Sequence, residues 1–155
     1  MTPSVPSSIN IRKMNTKRFL IAWVVTTVVT FVLNGIFHGL AAAAFFDRNL
    51  EILGSAVAKM ADFNPAPVVL LEFIIVFTLT WILFKMARGG ITVKDAVLAG
   101  ALLEMTTAAT WSLANAATFV TWSMAITLAD TAWHTGVGGL AGWMVCRLGR
   151  LVNDL

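Results

Sequence analysis

Six polar residues lie inside stretches of the chain that are otherwise apolar. Asn34 and His38 are four residues apart, and Asp130 and His134 repeat this spacing nearer the C-terminus. Residues four apart lie on one face of an α-helix, so each pair presents its two side chains together. Glu72 stands alone in a further apolar stretch, and Glu104 leads a polar strip in another, continued by Thr107, Ser112 and Asn115. We call this set the polar cluster: Asn34, His38, Glu72, Glu104, Asp130 and His134.

The polar cluster has the chemistry of a site for protons or divalent metal ions. Asp130-x-x-x-His134 on one helix face, completed by His38 from another helix, supplies suitable ligands for zinc, iron or manganese. The two histidines could instead be the axial ligands of a b-type haem. That arrangement needs rings at equal depth, whereas the rise per residue separates them by about 8–9 Å. Neither cofactor is required by the sequence, which has no HExxH or Glu-x-x-His signature.

A structural role competes with these cofactor hypotheses. A charged residue at mid-bilayer costs about 2.5–3.5 kcal/mol, so such residues tend to face the bundle interior and to pair. Asp130 accepting a hydrogen bond from His38 or His134 would hold the helices in register. An enzymatic role is disfavoured, because the hydroxyl residues Thr106, Thr107, Thr110 and Ser112 come with no GxSxG motif or recognisable acid–base pair.

The elements that must position these residues are membrane-spanning helices. The 155-residue chain is 58% hydrophobic and 12% charged, whereas a soluble domain carries about 25% charged residues. Its charges are grouped between long uncharged stretches, several of which reach the ~20 residues that a bilayer-spanning helix needs. The basic residues flank these stretches, so the net charge of +3 indicates membrane orientation and not nucleic-acid binding. A single cysteine, Cys146, excludes an intramolecular disulfide.

The pattern predicts an all-α bundle of four transmembrane helices, at about residues 19–46, 66–84, 96–115 and 121–146. Residues 1–18 are expected to be a flexible basic tail, and residues 147–155 a second short tail. Between the first two spans, apolar residues at helical spacing predict a short interfacial helix within residues 47–64. The last two spans share one long uncharged stretch. Its length, more than twice the bilayer core, requires a turn, which we place at residues 115–121.

Basic residues predict the orientation of the bundle. In the four-span arrangement nine of the eleven basic residues fall on one side, and only Arg48 and Lys59 fall on the other. Cytoplasmic loops carry an excess of Lys and Arg. Both termini are therefore expected in the cytoplasm, and the protein is expected to be a multi-pass protein of the bacterial inner membrane.

Two pairs of glycines predict close contacts between helices. Gly35 and Gly39 lie four apart in the first span, and Gly138 and Gly142 lie four apart in the last. Small residues at this spacing let another helix backbone approach closely in lipid. The spacing does not specify whether the partner helix belongs to this chain or to a second one.

The last span resembles small bacterial four-helix membrane proteins classed as domains of unknown function. The resemblance lies in Asp130-x-x-Trp133 followed by a run of small residues to Gly142. The amphipathic stretch after the first span and the short basic loop before the third are also similar, so the resemblance covers most of residues 19–146. It implies a fold and no activity. His134 lies outside the pattern, so the resemblance implies nothing about this histidine.

These observations favour an accessory or structural subunit of a membrane complex, or a homo-oligomer, in which the polar cluster holds the helices. The expected partners are the lipid bilayer and other membrane chains. The main alternative is a small proton or cation transporter, or a metal-binding membrane protein, that uses the same cluster. His38, Asp130 and His134 are then the candidate metal ligands.

Overall fold

The computed structural model describes residues 15–56 and 64–151, which form five α-helices. A π-helical turn (Phe37–Ala41) follows the first helix, and 3-10 turns follow the second (Glu51–Ala56) and the third (Ala87–Gly89). No strand occurs in the described residues, which confirms the predicted all-α class. The helices are α1 (Thr16–Ile36), α2 (Ala43–Leu50), α3 (Ala66–Met86), α4 (Val93–Thr118) and α5 (Met124–Gly149).

Three helical segments are long and apolar enough to cross a bilayer: Thr16–Ala41, Ala66–Gly89 and Val93–Thr118. Helix α5 has the same 26-residue length as α4 but carries an acid, a histidine and several glycines. It contacts α1, α3 and α4. Helix α5, which carries the acid and the histidine, is thus packed against several other helices. Its role as a fourth span stays a prediction.

The first apolar stretch is not a single helix, and its first helical segment, Thr16–Ala41, differs at both ends from the span predicted at about residues 19–46. Helix α1 begins at Thr16, because the side chain of Asn15 accepts a hydrogen bond from the backbone N–H of Arg18 at 3.1 Å. After the π turn the chain bends at Ala42, where φ is −114° and ψ is 7°. Residues 43–46 therefore belong to the short helix α2 and not to the span.

The turn between α4 and α5 lies later than predicted. Helix α4 continues to Thr118, since the Asn115 carbonyl still accepts the N–H of Phe119 at 2.8 Å. The turn covers residues 119–123, where Trp122 donates its backbone N–H to the Phe119 carbonyl at 3.1 Å. The predicted turn at residues 115–121 failed because no glycine or proline marks it.

Neighbouring long helices run antiparallel, and this gives the bundle two different ends. At one end α1 and α4 begin and α3 and α5 end; we call it the basic end because Lys17, Lys85, Lys94 and Arg147 lie there. At the other, the cluster end, α1 and α4 end and α3 and α5 begin. The core near the basic end is apolar and consists of Phe19, Ala22, Leu79, Leu83, Phe84, Ile91, Ala96, Ala141, Val145 and Cys146.

Helices α4 and α5 form the most extensive contact in the bundle, and glycines allow it. A Cβ atom added at Gly142 would collide with the Ala96 carbonyl, and one added at Gly138 with the Gly100 carbonyl. In lipid the hydrophobic effect does not drive helix association, so this close backbone contact provides van der Waals attraction instead.

Three segments lie outside the described part of the chain: residues 1–14 of the tail predicted at 1–18, residues 57–63 of the predicted interfacial helix, and residues 152–155. Within the described part, helix α2 and the 3-10 turn after it occupy the position of that predicted helix as far as Ala56.

Candidate functional site

The polar cluster joins all four long helices. Asn34 and His38 come from α1 and its π turn, Glu72 from α3, Glu104 from α4, and Asp130 and His134 from α5. Their hydrogen bonds connect α1 with α3, α1 with α5, and α4 with α5. Residues that are up to about a hundred positions apart in sequence therefore share one polar interior.

Three members of the cluster meet at one point, and we call them the His–Asp–His triad: His38, Asp130 and His134. The Nε2 atom of His38 lies 2.8 Å from Oδ1 of Asp130, and the Nε2 atom of His134 lies 3.7 Å from the same oxygen. One ligating atom from each of the three residues lies within 4.8 Å of the others. Donors around one tetrahedral metal ion lie about 3.3 Å apart, given metal–ligand distances of ~2.0–2.1 Å. Small side-chain rotations would bring the triad to that spacing.

The ring of His38 is held with Nε2 toward the triad. Its Nδ1 lies 2.9 Å from the Asn34 carbonyl, which can only accept a hydrogen bond, so Nδ1 carries the hydrogen. The opposite nitrogen then faces a carboxylate oxygen of Asp130. A proton or a metal ion must lie between these two acceptors. The π turn that carries His38 is a feature found frequently at functional sites.

The ring of His134 is held in the same way by a carboxylate. Its Nδ1 lies 3.2 Å from Oε2 of Glu104, whose side chain is only 3% exposed. Both histidines therefore direct Nε2 toward Asp130 and bond through Nδ1 to an oxygen outside the triad. Metal-binding histidines almost always show this second contact, which orients the ring and selects its tautomer.

Glu72 forms a second group next to the triad. Its carboxylate accepts hydrogen bonds from the amide of Asn34 and from the hydroxyl of Thr30, the latter at 3.3 Å. The Asn34 side-chain oxygen in turn accepts the indole N–H of Trp133 at 2.8 Å. Asn34 thus fixes Glu72 through its side chain and His38 through its backbone carbonyl.

The cluster contains more acidic than basic groups. It has three carboxyl groups and two imidazoles, and among the described residues no Lys or Arg forms an ion pair with those carboxyl groups. An ionised carboxylate needs a counter-charge in an interior where unbalanced charge is costly, and a bound dication would supply it.

Helix α2 lies over the cluster end beside the triad. The ring of Phe46 is 4.9 Å from the ring of His38, centroid to centroid. Ser123 in the turn after α4 donates its hydroxyl to the side-chain oxygen of Asn49 at 2.7 Å, which ties α2 to the bundle. Phe37, one residue before His38, stacks on Trp133, one residue before His134, with ring centroids 4.1 Å apart.

The sequence comparisons agree with this architecture. A family model described as "Predicted membrane protein (DUF2177)" matches residues 19–147. The chain belongs to the DUF2177 family. The match includes every residue of the polar cluster, and the expected resemblance to a membrane-protein family without assigned function is confirmed. No curated protein and no solved structure matches the chain. The family description names no activity, so the function of this DUF2177 member must be argued from its site.

The structure corrects one expectation about the two histidines. The predicted difference in depth of about 8–9 Å is wrong, because the total distance between the ring centroids of His38 and His134 is only 5.9 Å. Counting residues failed because it compares backbone positions, whereas the side chains of both histidines extend to the same oxygen of Asp130. A b-type haem is disfavoured for a different reason: the carboxylate of Asp130 lies against both Nε2 atoms, in the place that a haem iron would need.

The predicted glycine pairs occupy different environments. Gly138 and Gly142 are buried against α4, as described above. Gly35 is exposed, and a Cβ atom added there would meet nothing within 4 Å. Gly35 therefore mediates no helix contact within the described chain.

Two residues of the site were absent from the sequence prediction. Thr30 lies four residues before Asn34, so the helical spacing that links Asn34 with His38 could have included it. Trp133 carried no such signal, because its contact with Asn34 depends on how α1 and α5 pack. An outward-facing apolar groove of about 730 Å³ between α1 and α3, lined by residues such as Trp23, Phe73 and Phe77, contains no cluster residue.

Proposed function

We propose that this protein binds one divalent transition-metal ion in the membrane through His38, Asp130 and His134. The observation that carries the proposal is the convergence of two Nε2 atoms and a carboxylate, with each ring held by an oxygen on its other nitrogen. Imidazole ligands favour zinc, copper, iron or nickel over magnesium and calcium, which prefer oxygen alone.

The charge of the site supports the same proposal. The triad, Glu72 and Glu104 together hold three carboxylates with no described Lys or Arg paired to them. Three protein ligands also leave a coordination position open for water or another molecule, as in metal sites that exchange ligands. Glu104 and the Asn34 carbonyl would act as the outer partners that hold the two rings.

Zinc binding to the full-length protein in mild detergent tests the proposal. After removal of bound metal with a chelator, we expect titration calorimetry and elemental analysis to give one Zn²⁺ per chain. His38→Ala, His134→Ala and Asp130→Asn should each weaken binding at least about 100-fold, because each removes a direct ligand or its charge. Fe²⁺ and Mn²⁺ titrations would then rank the metals.

Asp95→Asn is the matched control for these variants. Asp95 is a carboxylate at the first turn of α4, outside the cluster, where it pairs with Thr92. Its removal should leave zinc affinity unchanged. A wild-type protein that binds no stoichiometric metal, or three triad variants that bind zinc as tightly as the wild type does, would contradict the proposal.

A second candidate function is structural, and the hydrogen bonds between helices favour it. The cluster connects α1, α3, α4 and α5, and each such bond in a membrane contributes about 0.6 kcal/mol on average. In this case the protein would serve as an accessory subunit or a homo-oligomer held in shape by the cluster. The exposed surface of α1 around Gly35 is then the place to seek a partner helix.

Asp130→Asn separates the two candidates. An asparagine has an amide N–H that can donate to the Nε2 atom of His38, so a purely structural role predicts an unchanged melting temperature and unchanged oligomeric mass. A metal-binding role predicts the loss of zinc affinity in a protein that remains folded. Mass measurement in detergent, on the same samples, tests the subunit hypothesis directly.

We also propose that the basic end faces the cytoplasm, as in a bacterial inner membrane. Seven of the eight described basic residues flank the helices at the basic end, and only Arg48 lies at the cluster end. This distribution follows the rule that cytoplasmic loops carry the excess of Lys and Arg. The triad would then face the non-cytoplasmic side.

A further inference from the structure

The metal site proposed above differs from a transport site in how its polar groups are arranged along the bundle. His38 lies three residues before Ala41, the end of the first span, which corresponds to about 5 Å. Asp130 lies six residues into α5, about 9 Å from its start, and Glu104 lies fourteen residues before the end of α4, about 21 Å. The backbone positions of these polar residues therefore extend from the cluster end toward the middle of the bundle.

Side-chain exposure differs among these groups. The side chain of His38 is 35% exposed, that of His134 21%, that of Asp130 14% and that of Glu104 3%. His38, nearest the cluster end, is thus the most exposed ligand, and the Glu104 carboxylate is enclosed by protein.

The polar path ends at Glu104 and Glu72. The side-chain carbons of Glu104 lie against Gly138, where α4 and α5 come closest, and the next glycine contact joins Gly142 to Ala96. Between these carboxylates and Asp95, no described residue of the four long helices is Asp, Glu or His. The interior there is filled by fully buried apolar side chains: Val76, Leu79, Leu83 and Val145.

Most buried hydroxyls beyond Glu72 bond to their own helix. Thr27 donates to the Trp23 carbonyl at 2.9 Å, and Thr80 donates to the Val76 carbonyl at 2.7 Å. The Thr26 hydroxyl is buried without a hydrogen-bond partner among the described residues, and it bonds to no carboxylate or imidazole. The Thr30 hydroxyl, which reaches Glu72, also bonds back to the Thr26 carbonyl at 3.0 Å.

Electrostatics at the basic end also oppose passage of a cation. The described residues there include Lys17, Arg18, Lys85, Arg88, Lys94, Arg147 and Arg150, with Asp95 as the one described carboxylate among them. Like charge raises the free energy of a dication near this end. The cluster end has Arg48 but also Asp47 and Glu51.

We propose that the site opens only toward the cluster end and holds its metal ion without passing it to the basic end. This inference rests on the proposed metal-binding function. It assigns the protein to resident metal-binding proteins and not to cation transporters, with an occupancy that follows the metal concentration on the cluster side alone.

Proteoliposomes that contain the full chain test this inference with Zn²⁺ as the probe. Orientation is measured on parallel samples that carry Val120→Cys or Gly89→Cys, labelled with a membrane-impermeant maleimide. Val120 is fully exposed in the turn at the cluster end, Gly89 lies in the turn at the basic end, and the native Cys146 is buried. Each cysteine therefore reports which end faces outward.

Zinc is then added outside vesicles that contain a zinc-sensitive dye. We expect bound zinc to equal the number of chains whose cluster end faces outward, and an impermeant chelator outside to remove all of it. The dye signal should match that of protein-free vesicles, even with a 100-fold inward zinc gradient.

A dye signal that rises with the amount of protein and disappears in Asp130→Asn would overturn the one-sided site, while metal binding itself would stand. Zinc bound to chains whose basic end faces outward would overturn it as well. If the detergent titration shows no zinc binding, the proposed function fails first, and this inference fails with it.

Discussion

The two ends of the bundle are held together by different contacts. Near the basic end, aromatic rings pack edge to face, as in Phe19 against Phe84 at 5.3 Å, and glycines bring α4 and α5 into backbone contact. Near the cluster end, hydrogen bonds between side chains of different helices replace apolar packing. Both ends lie in the same short bundle, and among the described residues the group of candidate metal ligands lies at the cluster end.

This difference indicates a division of roles. Close packing needs no bound ligand and is insensitive to charge, so the basic half can keep the fold. The cluster half contains charged groups whose enclosure is costly without a counter-charge, and such groups in membranes are functional by default. Helix α5 takes part in both halves, with Asp130 and His134 at one end and Gly138 and Gly142 nearer the other.

Gly142→Ala should produce the largest effect, because it disrupts the close packing of α4 against α5 in the basic half and leaves the polar cluster intact. The added methyl group would collide with the Ala96 backbone, so we expect the free energy of unfolding to fall by about 3 kcal/mol, the upper range for overpacked sites. Thermal unfolding in detergent, followed by tryptophan fluorescence, measures this change.

The matched control is Gly136→Ala in the same helix, since a Cβ atom there meets nothing within 4 Å. It should leave stability unchanged or raise it by up to about 1 kcal/mol through helix propensity. Equal destabilisation by the two substitutions would show that the close backbone contact at Gly142 does not hold the basic half together.

Zinc should stabilise the wild-type protein through the cluster half, in contrast to the metal-independent packing of the basic half. A ligand at 100 times its dissociation constant stabilises the folded state by about 2.7 kcal/mol. We expect a corresponding rise in melting temperature, and none in Asp130→Asn. A similar rise in that variant would place the zinc outside the triad.

Glu104→Gln tests the support of the triad and should have a smaller effect. Among the described hydrogen bonds, the only bond of Glu104 to the triad is the one to the His134 ring. Glu104 is therefore a positioning residue. Removal of such partners typically costs 10–100-fold in metal affinity. We expect about a tenfold loss at the low end of this range, because a glutamine oxygen can still accept the His134 N–H.

The readout that isolates positioning in Glu104→Gln is the imidazole nitrogen NMR spectrum, which reports the tautomer of His134. The variant should shift that spectrum in the metal-free protein and leave the melting temperature nearly unchanged. Loss of folding instead would make Glu104 a structural residue.

Asp95→Asn should have the smallest effect, and its effect should depend on pH. The Thr92 hydroxyl and backbone N–H bond the carboxylate and lower the pKa of Asp95 from its ordinary value of 3.8. The stabilisation is therefore complete above that value and is lost as the pH falls through the lowered pKa. Acid unfolding curves of wild type and variant should converge at low pH, and curves that stay parallel would contradict this assignment.

Helix class and membrane character could be predicted from the sequence because they depend on local composition. The ends of helices were less predictable: the π turn after Ile36 ends in a backbone hydrogen bond from Ala42 to Phe37, and the late turn at residues 119–123 contains no glycine or proline to mark it. In the site, the i, i+4 spacing identified both histidines and Asp130. Their convergence, and the part of Trp133, depended on how α1 packs against α5.

X-ray absorption by the zinc-loaded protein tests the central claim most directly. The triad predicts two imidazole nitrogens at about 2.0–2.1 Å from the metal, with a carboxylate oxygen at a similar distance, and the loss of this signal in His38→Ala. A spectrum without imidazole scattering, or with a sulfur neighbour at about 2.3 Å as a thiolate ligand would give, would contradict the account.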